Sequence, residues 1–440
     1  MSSSHINGIA AVEQCPSEKL DLQDNSTLST STQKSHRSYS TYQEDIYRLG
    51  LVGKKPVLST NPTLWPVAAK AAITPEAWGY LEGGGGTSST MAANSTAFNR
   101  WKIIPRMLTG NNSRSLKTTL FGQEYPSPLI MAPVGVNKIF HPEGEEAVAK
   151  ACAAVGVPYT ISTASSTTIE DIATAGSPET PRFFQLYWPR SQDNDITLSL
   201  LSRAWNAGCR VLLVTVDTWS LGWRPADLDH SYIPFYNGTG CQIGLSDPVF
   251  QKKYLPNSST ANKSTPSPEE LTTASLAWLQ SAFSGTSRTW TDLSFLRSNW
   301  KGSLVVKGIQ SSTDALHALE AGCDGIVISN HGGRQYDGAA GSLSVLPEIA
   351  DVLHNKQTAA GQKMTLLFDS GIRCGADALK ALALGADGVL VGRPVMYGLA
   401  AAGREGAEHV LRCLLADLEI NLGVMGYSDL GQVGRSDLRE

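Results

Sequence analysis

The chain has 440 residues, 41% of them hydrophobic, and a formal net charge of −4 at pH 7. This balance gives no positive field for nucleic acid or an anionic membrane, so we expect neither as a partner. No apolar run is long enough to span a membrane, and the polar start has no signal-peptide pattern. The seven cysteines are scattered without metal-ligand spacing, which predicts reduced thiols and no metal site. The last residues form no peroxisomal tripeptide, so we expect a cytoplasmic protein.

Three regions follow one another along the chain. Residues 1–40 are rich in Ser, Thr, Gln and Asn, which predicts a disordered tail because they bury too little apolar surface to offset chain entropy. Residues 41–127 contain short helical patterns at 42–49, 62–72 and 75–81 and a run of glycines at 83–86, which predicts a helical cap and entry segment. Residues 128–440 are predicted to form the main domain.

Short apolar, β-branched runs alternate with longer segments of helical period from residue 128 onward. This is the pattern of repeated βα units in an α/β protein. Strands are predicted at 129–133, 159–162, 183–187, 211–217, 304–308, 325–330, 365–369 and 388–392. Eight such units predict a (β/α)8 TIM barrel. An open doubly wound sheet is the competing fold, but about six strands usually suffice there.

One gap interrupts this alternation between the fourth and fifth predicted strands. Residues 218–303 contain no clear strand and include a polar tract at 257–268. Connections of this length are usually functional, as lids or binding loops. We therefore predict a lid insertion over the mouth of the barrel.

The predicted strand ends are polar and basic, which matters because a TIM barrel carries its active site there. Lys307, His331, Arg334 and Arg393 all lie at or directly after a strand end and favour an anion. The turns after strands seven and eight, at 369–373 and 392–394, combine glycine with arginine where such barrels bind phosphate. A cofactor that carries a phosphate is predicted there.

Six segments carry a more specific resemblance: FQLY at 184–187, TVDT at 215–218, VKGI at 306–309, SNHGGRQ at 329–335, KALALGA at 380–386 and GRPV at 392–395. In this order and spacing the chain resembles the FMN-dependent 2-hydroxy-acid oxidases and dehydrogenases, which include glycolate oxidase and lactate oxidase. The segments at 42–47, 83–86 and 246–250 look most similar to the lactate 2-monooxygenase branch. The resemblance implies FMN as cofactor, a 2-hydroxy acid as substrate, O2 as acceptor and a homotetramer.

Catalytic roles follow from the same resemblance. His331 is expected to take a proton from the substrate, as an imidazole near its own pKa can do at neutral pH. Asp217 is expected to hold the imidazole and to favour its protonated form. Lys307 is expected beside the flavin edge on which negative charge accumulates. Tyr187 completes the predicted catalytic set.

Substrate and cofactor contacts are implied in the same way. Forked guanidinium groups suit a carboxylate, and the predicted substrate-binding residues are Tyr80, Tyr187, Arg224, His331 and Arg334. The residues expected to hold the flavin ring, the ribityl chain and the phosphate are Pro133, Val134, Gly135, Ser162, Gln185, Thr215, Lys307, Ser329, Asp369, Gly371, Arg373, Gly392 and Arg393.

Several alternatives stay open from the sequence. Asp217 and Asp369 also suit a helix N-cap, and Tyr187 suits a core aromatic residue. The reaction also fits a dehydrogenase that passes electrons to a cytochrome or quinone, or a tailoring oxidoreductase of specialised metabolism. A flavin-binding barrel that has lost its activity is the non-enzyme alternative. Ala164, Trp219, Trp223 and Ser370 depart from the usual family residues, and the first three leave the substrate undetermined.

Overall fold

Eight parallel strands close into a barrel in the computed structural model, which describes residues 38–255 and 267–440. Each strand pairs with the next in chain order, and the eighth pairs with the first. The predicted barrel is confirmed, with every strand limit within two residues of its predicted position. Residues 1–37 of the predicted tail and most of the polar tract lie outside the described residues. Ser40, at the end of that tail, is described, and its backbone N–H donates to Glu419 Oε2 at 2.6 Å. The strands are Leu129–Met131, Tyr159–Ser162, Arg182–Tyr187, Cys209–Thr215, Ser303–Ile309, Gly325–Ile328, Thr365–Phe368 and Gly388–Val391.

Both faces of these strands are buried, which explains their continuous apolar runs. Because side chains alternate along a strand, Val211 and Leu213 point into the barrel while Leu212 and Val214 pack against the surrounding helices. A two-stranded hairpin, Thr118–Leu120 with Gln123–Tyr125, packs against the side chains inside the barrel. No pattern in the sequence predicted this hairpin, whose strands are only three residues long.

Helices surround the barrel in alternation with the strands. The last of them is kinked at Ala402 and Gly403, where the backbone leaves helical angles. No helix in residues 38–255 or 267–440 is both long and apolar enough to cross a membrane. The surrounding helices are Gly144–Val155, Ile169–Ala175, Asn194–Asn206, Ser312–Glu320, Ser342–Leu353, Gly375–Ala383 and Arg393–Val424.

Four helices precede the barrel: Thr41–Gly50, Trp65–Ala72, Pro75–Glu82 and Ser89–Arg100. The first two pack against the long final helix. The glycine turn between the last two lies on the loop that follows the sixth strand, where the Gly85 N–H donates to the carbonyl of Gly333 at 2.8 Å. This segment therefore lies over the carboxyl end of the barrel.

The insertion between strands four and five is helical in its described residues. Its helices are Pro225–Asp229, Gln242–Leu245, Pro248–Tyr254, Pro268–Ala282 and Leu293–Asn299.

A buried carboxylate anchors this insertion to the barrel. Asp193 lies after the third strand, and its side chain is fully buried. It accepts hydrogen bonds from Lys253 at 2.6 Å, Ser281 at 2.7 Å, Arg190 at 2.8 Å and Tyr254 at 2.8 Å. Burial opposes its ionisation, but the bonds from Lys253, Ser281, Tyr254 and Arg190 outweigh that and lower the pKa of Asp193 to about 2. Three of the four donors belong to the insertion, so one side chain holds two of its helices.

Replacement of Asp193 tests this anchor. Asp193→Asn should lower the free energy of unfolding by about 3 kcal/mol, because it leaves buried donors without their charged acceptor. The native carboxylate stabilises the fold fully above its unfolded pKa of roughly 3.9, and that contribution is lost as the pH falls towards 2. Urea unfolding at pH 7 measures the change. The matched control is Glu124→Gln, which removes an exposed ion pair with Lys117 and should cost less than about 1 kcal/mol.

Candidate active site

A cavity with about 1040 Å³ of empty space lies at the carboxyl ends of the strands. Its walls come from the turns after the strands, from the helix that ends at Glu82 and from the insertion. Most of the predicted site residues line it, although they are distant in sequence. They are Tyr80, Pro133, Val134, Gly135, Tyr187, Arg224, Lys307, His331, Arg334, Asp369, Gly371, Arg373, Gly392 and Arg393.

The remaining predicted residues lie directly behind this lining. Ser162 donates to Gln185 Oε1 at 3.0 Å, and Gln185 Nε2 donates to Thr215 Oγ1 at 3.0 Å, so the three form a buried chain across strands two to four. Ser329 accepts a hydrogen bond from Lys307 at 3.1 Å. Asp217 contacts His331. The structure thus brings together every residue that the sequence singled out.

His331 lies directly after the sixth strand, in the left-handed backbone region with a φ of 58°. Its Nδ1 is 2.7 Å from Asp217 Oδ1 and 2.9 Å from Thr218 Oγ1. Nδ1 is therefore occupied, and Nε2 is left for the cavity that the ring lines. Burial lowers the pKa of His331 and outweighs the opposite effect of Asp217, while the charge of Lys307 lowers it further. The ring is neutral at pH 7 and can accept a proton. The predicted influence of Asp217 is present but does not dominate.

Lys307 forms the centre of a buried charge cluster. Its Nζ lies 3.5 Å from Asp369 Oδ2 and 3.9 Å from Asp217 Oδ2. Burial lowers the pKa of Lys307, but Asp369 and Asp217 outweigh this and raise it above its usual value. Burial likewise opposes ionisation of Asp217, yet its interactions with His331 and Lys307 hold the pKa of Asp217 well below its usual range. Lys307 and Asp217 therefore form an ion pair at neutral pH.

Arg334 and Arg393 reach the cavity from different strands and share backbone acceptors. Arg393 donates to the carbonyls of Leu81 at 3.1 Å and Gly332 at 2.9 Å, and Arg334 donates to that of Gly83 at 2.9 Å. Neither forms an ion pair with a carboxylate in the part of the chain that the structure describes. Burial, with the repulsion of Arg224 and Arg393, lowers the pKa of Arg334 to about 9. Uncompensated buried guanidinium groups favour an anion in this cavity.

Arg224 is the insertion's contribution to the same anion site and is 6% exposed. Its Nη2 donates to Gln335 Oε1 at 2.7 Å and its Nε to the carbonyl of Arg334 at 3.1 Å. Gln335 also donates to the carbonyls of Asp217 and Ser220. The insertion and the turn that carries His331 are therefore held in register by one amide side chain.

Several cavity residues had no predicted role. Thr218 was noted only as part of a motif, yet its hydroxyl donates to Asp217 Oδ1 at 2.7 Å and contacts His331. Phe235 and Phe283 come from the insertion, where the sequence shows no period that would place them at the mouth. A row of rings results, because Phe283 lies 4.8 Å from Tyr187 and 5.8 Å from Phe235 between ring centroids.

The family model described as FMN-dependent dehydrogenase matches residues 69–440. The chain belongs to the FMN-dependent dehydrogenase family. An FMN-dependent alpha-hydroxy acid dehydrogenase of Penicillium citrinum is 48% identical over 403 residues, which cover 91% of this chain and 96% of that protein. An L-lactate oxidase of Lysinibacillus sphaericus is 37% identical, with 83% of this chain and 88% of that protein covered. The predicted membership among FMN-dependent 2-hydroxy-acid oxidoreductases is confirmed.

Solved structures agree with the assignment. The crystal structure of mandelate oxidase with (S)-4-hydroxymandelic acid has a TM-score of 0.71 and 35% sequence identity, and the match covers 85% of this chain and 97% of that one. The protein is thus an FMN-dependent oxidoreductase built on a (β/α)8 barrel.

The donor chemistry of the cavity fits FMN. Gly371, with a φ of 101°, exposes backbone beside Arg373 and Arg393, which suits the phosphate.

Removal of one arginine tests the phosphate site. Arg373→Gln should raise the dissociation constant of FMN by roughly tenfold to a hundredfold, because a charge-assisted hydrogen bond is lost. Titration of the apoprotein by flavin fluorescence measures this. Riboflavin, which has no phosphate, should bind equally to both proteins. Equal weakening of FMN and riboflavin would contradict the assignment, and Arg404→Gln, half-exposed on the final helix, is the control variant.

Proposed function

We propose that this FMN-dependent enzyme oxidises a 2-hydroxy carboxylate with an aromatic side chain to the 2-oxo acid, and that O2 accepts the electrons. The observation that carries the proposal is the shared cavity of a neutral imidazole, His331, and two arginines, Arg334 and Arg393, that form no ion pair with a carboxylate among the described residues. When bound there, FMN supplies the acceptor for the two electrons that leave the substrate.

His331 acts as the base in this proposal. Asp217 and Thr218 occupy Nδ1, so the Nε2 lone pair faces the substrate and takes the proton. The imidazolium that forms lies 2.7 Å from an ionised carboxylate, which stabilises the new charge. Lys307, fixed between two carboxylates, presents a permanent positive charge to the flavin site.

The substrate carboxylate is placed by guanidinium groups. Arg334 and Arg224 line the cavity on the same side as His331, and Gln335 and backbone carbonyls hold them in position. Tyr80 lies against Arg334, with 5.0 Å between the guanidinium carbon and the ring centroid. The arginines hold the substrate with its hydroxyl-bearing carbon next to His331 Nε2. The free energy of carboxylate binding thus orients the substrate for proton transfer.

The aromatic side chain of the substrate is inferred from the three neighbouring rings that line the cavity. Tyr187, Phe283 and Phe235 form a continuous aromatic wall beside His331. The small side chain of Ala164, after the second strand, leaves room in the same cavity. Aromatic walls favour a ring at offset or edge contact. The likeness to mandelate oxidase supports this choice over a short acid such as lactate.

The electron acceptor distinguishes three versions of the reaction. Direct reoxidation by O2 releases peroxide, whereas retention of the oxo acid leads to decarboxylation, as in the lactate 2-monooxygenase branch. Transfer to a cytochrome or quinone is the dehydrogenase alternative, and the name of the Penicillium citrinum relative favours it. We place O2 first because the L-lactate oxidase and mandelate oxidase relatives are named as oxidases. A homotetramer is proposed from the family resemblance alone.

Rapid mixing tests the role of His331. His331→Gln should slow flavin reduction roughly a hundredfold to ten-thousandfold while the flavin spectrum is retained. In the native protein the rate should fall only on the acid side, below about pH 6.5, because the neutral ring is the active form and its pKa is lowered. Asp217→Asn should shift this fall in rate to still lower pH, since Asp217 raises the pKa of His331. The control is the exposed His354→Gln; an unchanged rate in His331→Gln excludes the base assignment.

Anaerobic substrate screening tests the reaction itself. Mandelate or 3-phenyllactate should reduce the flavin with a higher second-order rate constant than L-lactate. Air should then restore the absorbance of the oxidised flavin. Peroxide marks an oxidase, CO2 a monooxygenase, and failure of air to restore the colour a dehydrogenase. Phe283→Ala should lower kcat/KM for the aromatic acids by about tenfold, through lost apolar contact, and leave lactate nearly unaffected. No bleaching by any acid would overturn the proposal.

A further inference from the structure

A second cavity lies beside the catalytic one, on the other side of the segment that follows the fourth strand. It contains about 1100 Å³ of empty space between the ends of strands four and five and residues 282–293 of the insertion. Thr218 lines both cavities. Phe283 of the catalytic cavity lies between Ala282 and Ser284 of the second one. The reaction proposed above uses none of the aromatic or basic groups in the second cavity.

Three indole rings form much of its wall. Trp188 is stacked against Phe295, with 6.3 Å between ring centroids and 17° between planes, and carries Arg288 at 4.5 Å from its ring. Trp219 is 46% exposed at the edge of the cavity, and Trp290 is half-buried. Such a wall favours a flat apolar ring, because stacked and edge contacts between rings add to the burial of apolar surface.

One donor in this wall has no acceptor, and one cation has no carboxylate partner among the described residues. Trp188 is only 9% exposed, and its Nε1–H has no hydrogen-bond partner. An unpaired buried donor is costly and calls for an acceptor. Arg288 donates to Ser191 Oγ and to the carbonyl of Pro189, and it forms no ion pair with a carboxylate among the described residues. Burial lowers the pKa of Arg288, and only Asp292 opposes this.

One acidic side chain also lines the cavity and orients a charged occupant. Asp314 accepts a hydrogen bond from Ser311 Oγ at 2.9 Å and lies in the first turn of the helix Ser312–Glu320. An anionic group is repelled from Asp314 and attracted to Arg288. The two side chains therefore determine the orientation in which a charged ligand binds.

We propose that this cavity is a second ligand site for a flat aromatic molecule that carries a carboxylate. The ring packs among Trp188, Trp219 and Trp290, and the carboxylate accepts from the Arg288 guanidinium and from Trp188 Nε1–H. Aromatic acids of this kind include the class proposed as substrate and product, but the site consists only of the groups in this wall and is independent of the reaction.

The number of 1-naphthoate molecules that bind to each chain of the flavin-loaded enzyme tests the site. Equilibrium dialysis should find two molecules per chain, one of which perturbs the flavin absorption bands and one of which quenches only tryptophan fluorescence. Arg288→Gln should weaken the second molecule at least roughly tenfold, as expected for loss of a charge-assisted bond, and leave the flavin perturbation intact. Arg334→Gln should do the reverse. Uncharged 1-naphthamide should lose affinity for the second site by a similar factor.

Control variants separate this site from a general loss of structure. Arg210→Gln removes another guanidinium stacked on an indole, that of Trp205 at 4.1 Å, and should leave both molecules bound. Trp219→Ala changes an exposed side chain and should also weaken the second molecule, so the test stands even if Arg288→Gln fails to fold. A single molecule per chain in the native enzyme, bound at the flavin, would overturn the proposal. Unchanged affinity in both Arg288→Gln and Trp219→Ala would overturn it equally.

Discussion

The site depends on charges that are buried at the carboxyl end of the barrel and do not cancel within the protein. Lys307 is held between Asp217 and Asp369. The neighbouring guanidinium groups of Arg334 and Arg393 donate to backbone carbonyls and form no ion pair with a carboxylate among the described residues. Desolvated charge of one sign is expensive. The buried arginines therefore attract anions to the cavity, and the phosphate of FMN and a substrate carboxylate supply the negative charge.

This arrangement explains why the segments outside the barrel lie where they do. The carbonyls of Leu81 and Gly83, which accept from these arginines, come from the end of a helix that precedes the barrel. Gly85 continues the contact by donating to Gly333 beside the catalytic turn. The N-terminal helices thus do more than cover the mouth of the barrel. They supply the oxygen atoms that orient its cations.

Much of the barrel and the site was predictable because both follow from local pattern. A parallel strand buried on both faces leaves a continuous apolar run, and the residue after it must lie at one end of the barrel, which places Asp217, His331 and Asp369 together. The hairpin at 118–125 was not predictable, since three-residue strands carry no period. Nor were Phe235 and Phe283, because their position depends on how the insertion packs through Asp193, a contact between residues far apart in sequence.

The anchor at Asp193 has a consequence for how such an enzyme can change. Except for Arg224, the residues that move protons and hold charge come from strand ends, whereas Phe235 and Phe283 of the ring wall come from an insertion that Asp193 and its four donors help to fasten outside the barrel. Mutation of these two rings can therefore change which substrates the cavity admits without altering the groups that hold and move charge. In evolutionary terms, divergence among relatives can accumulate in this part of the insertion while the chemistry is inherited intact.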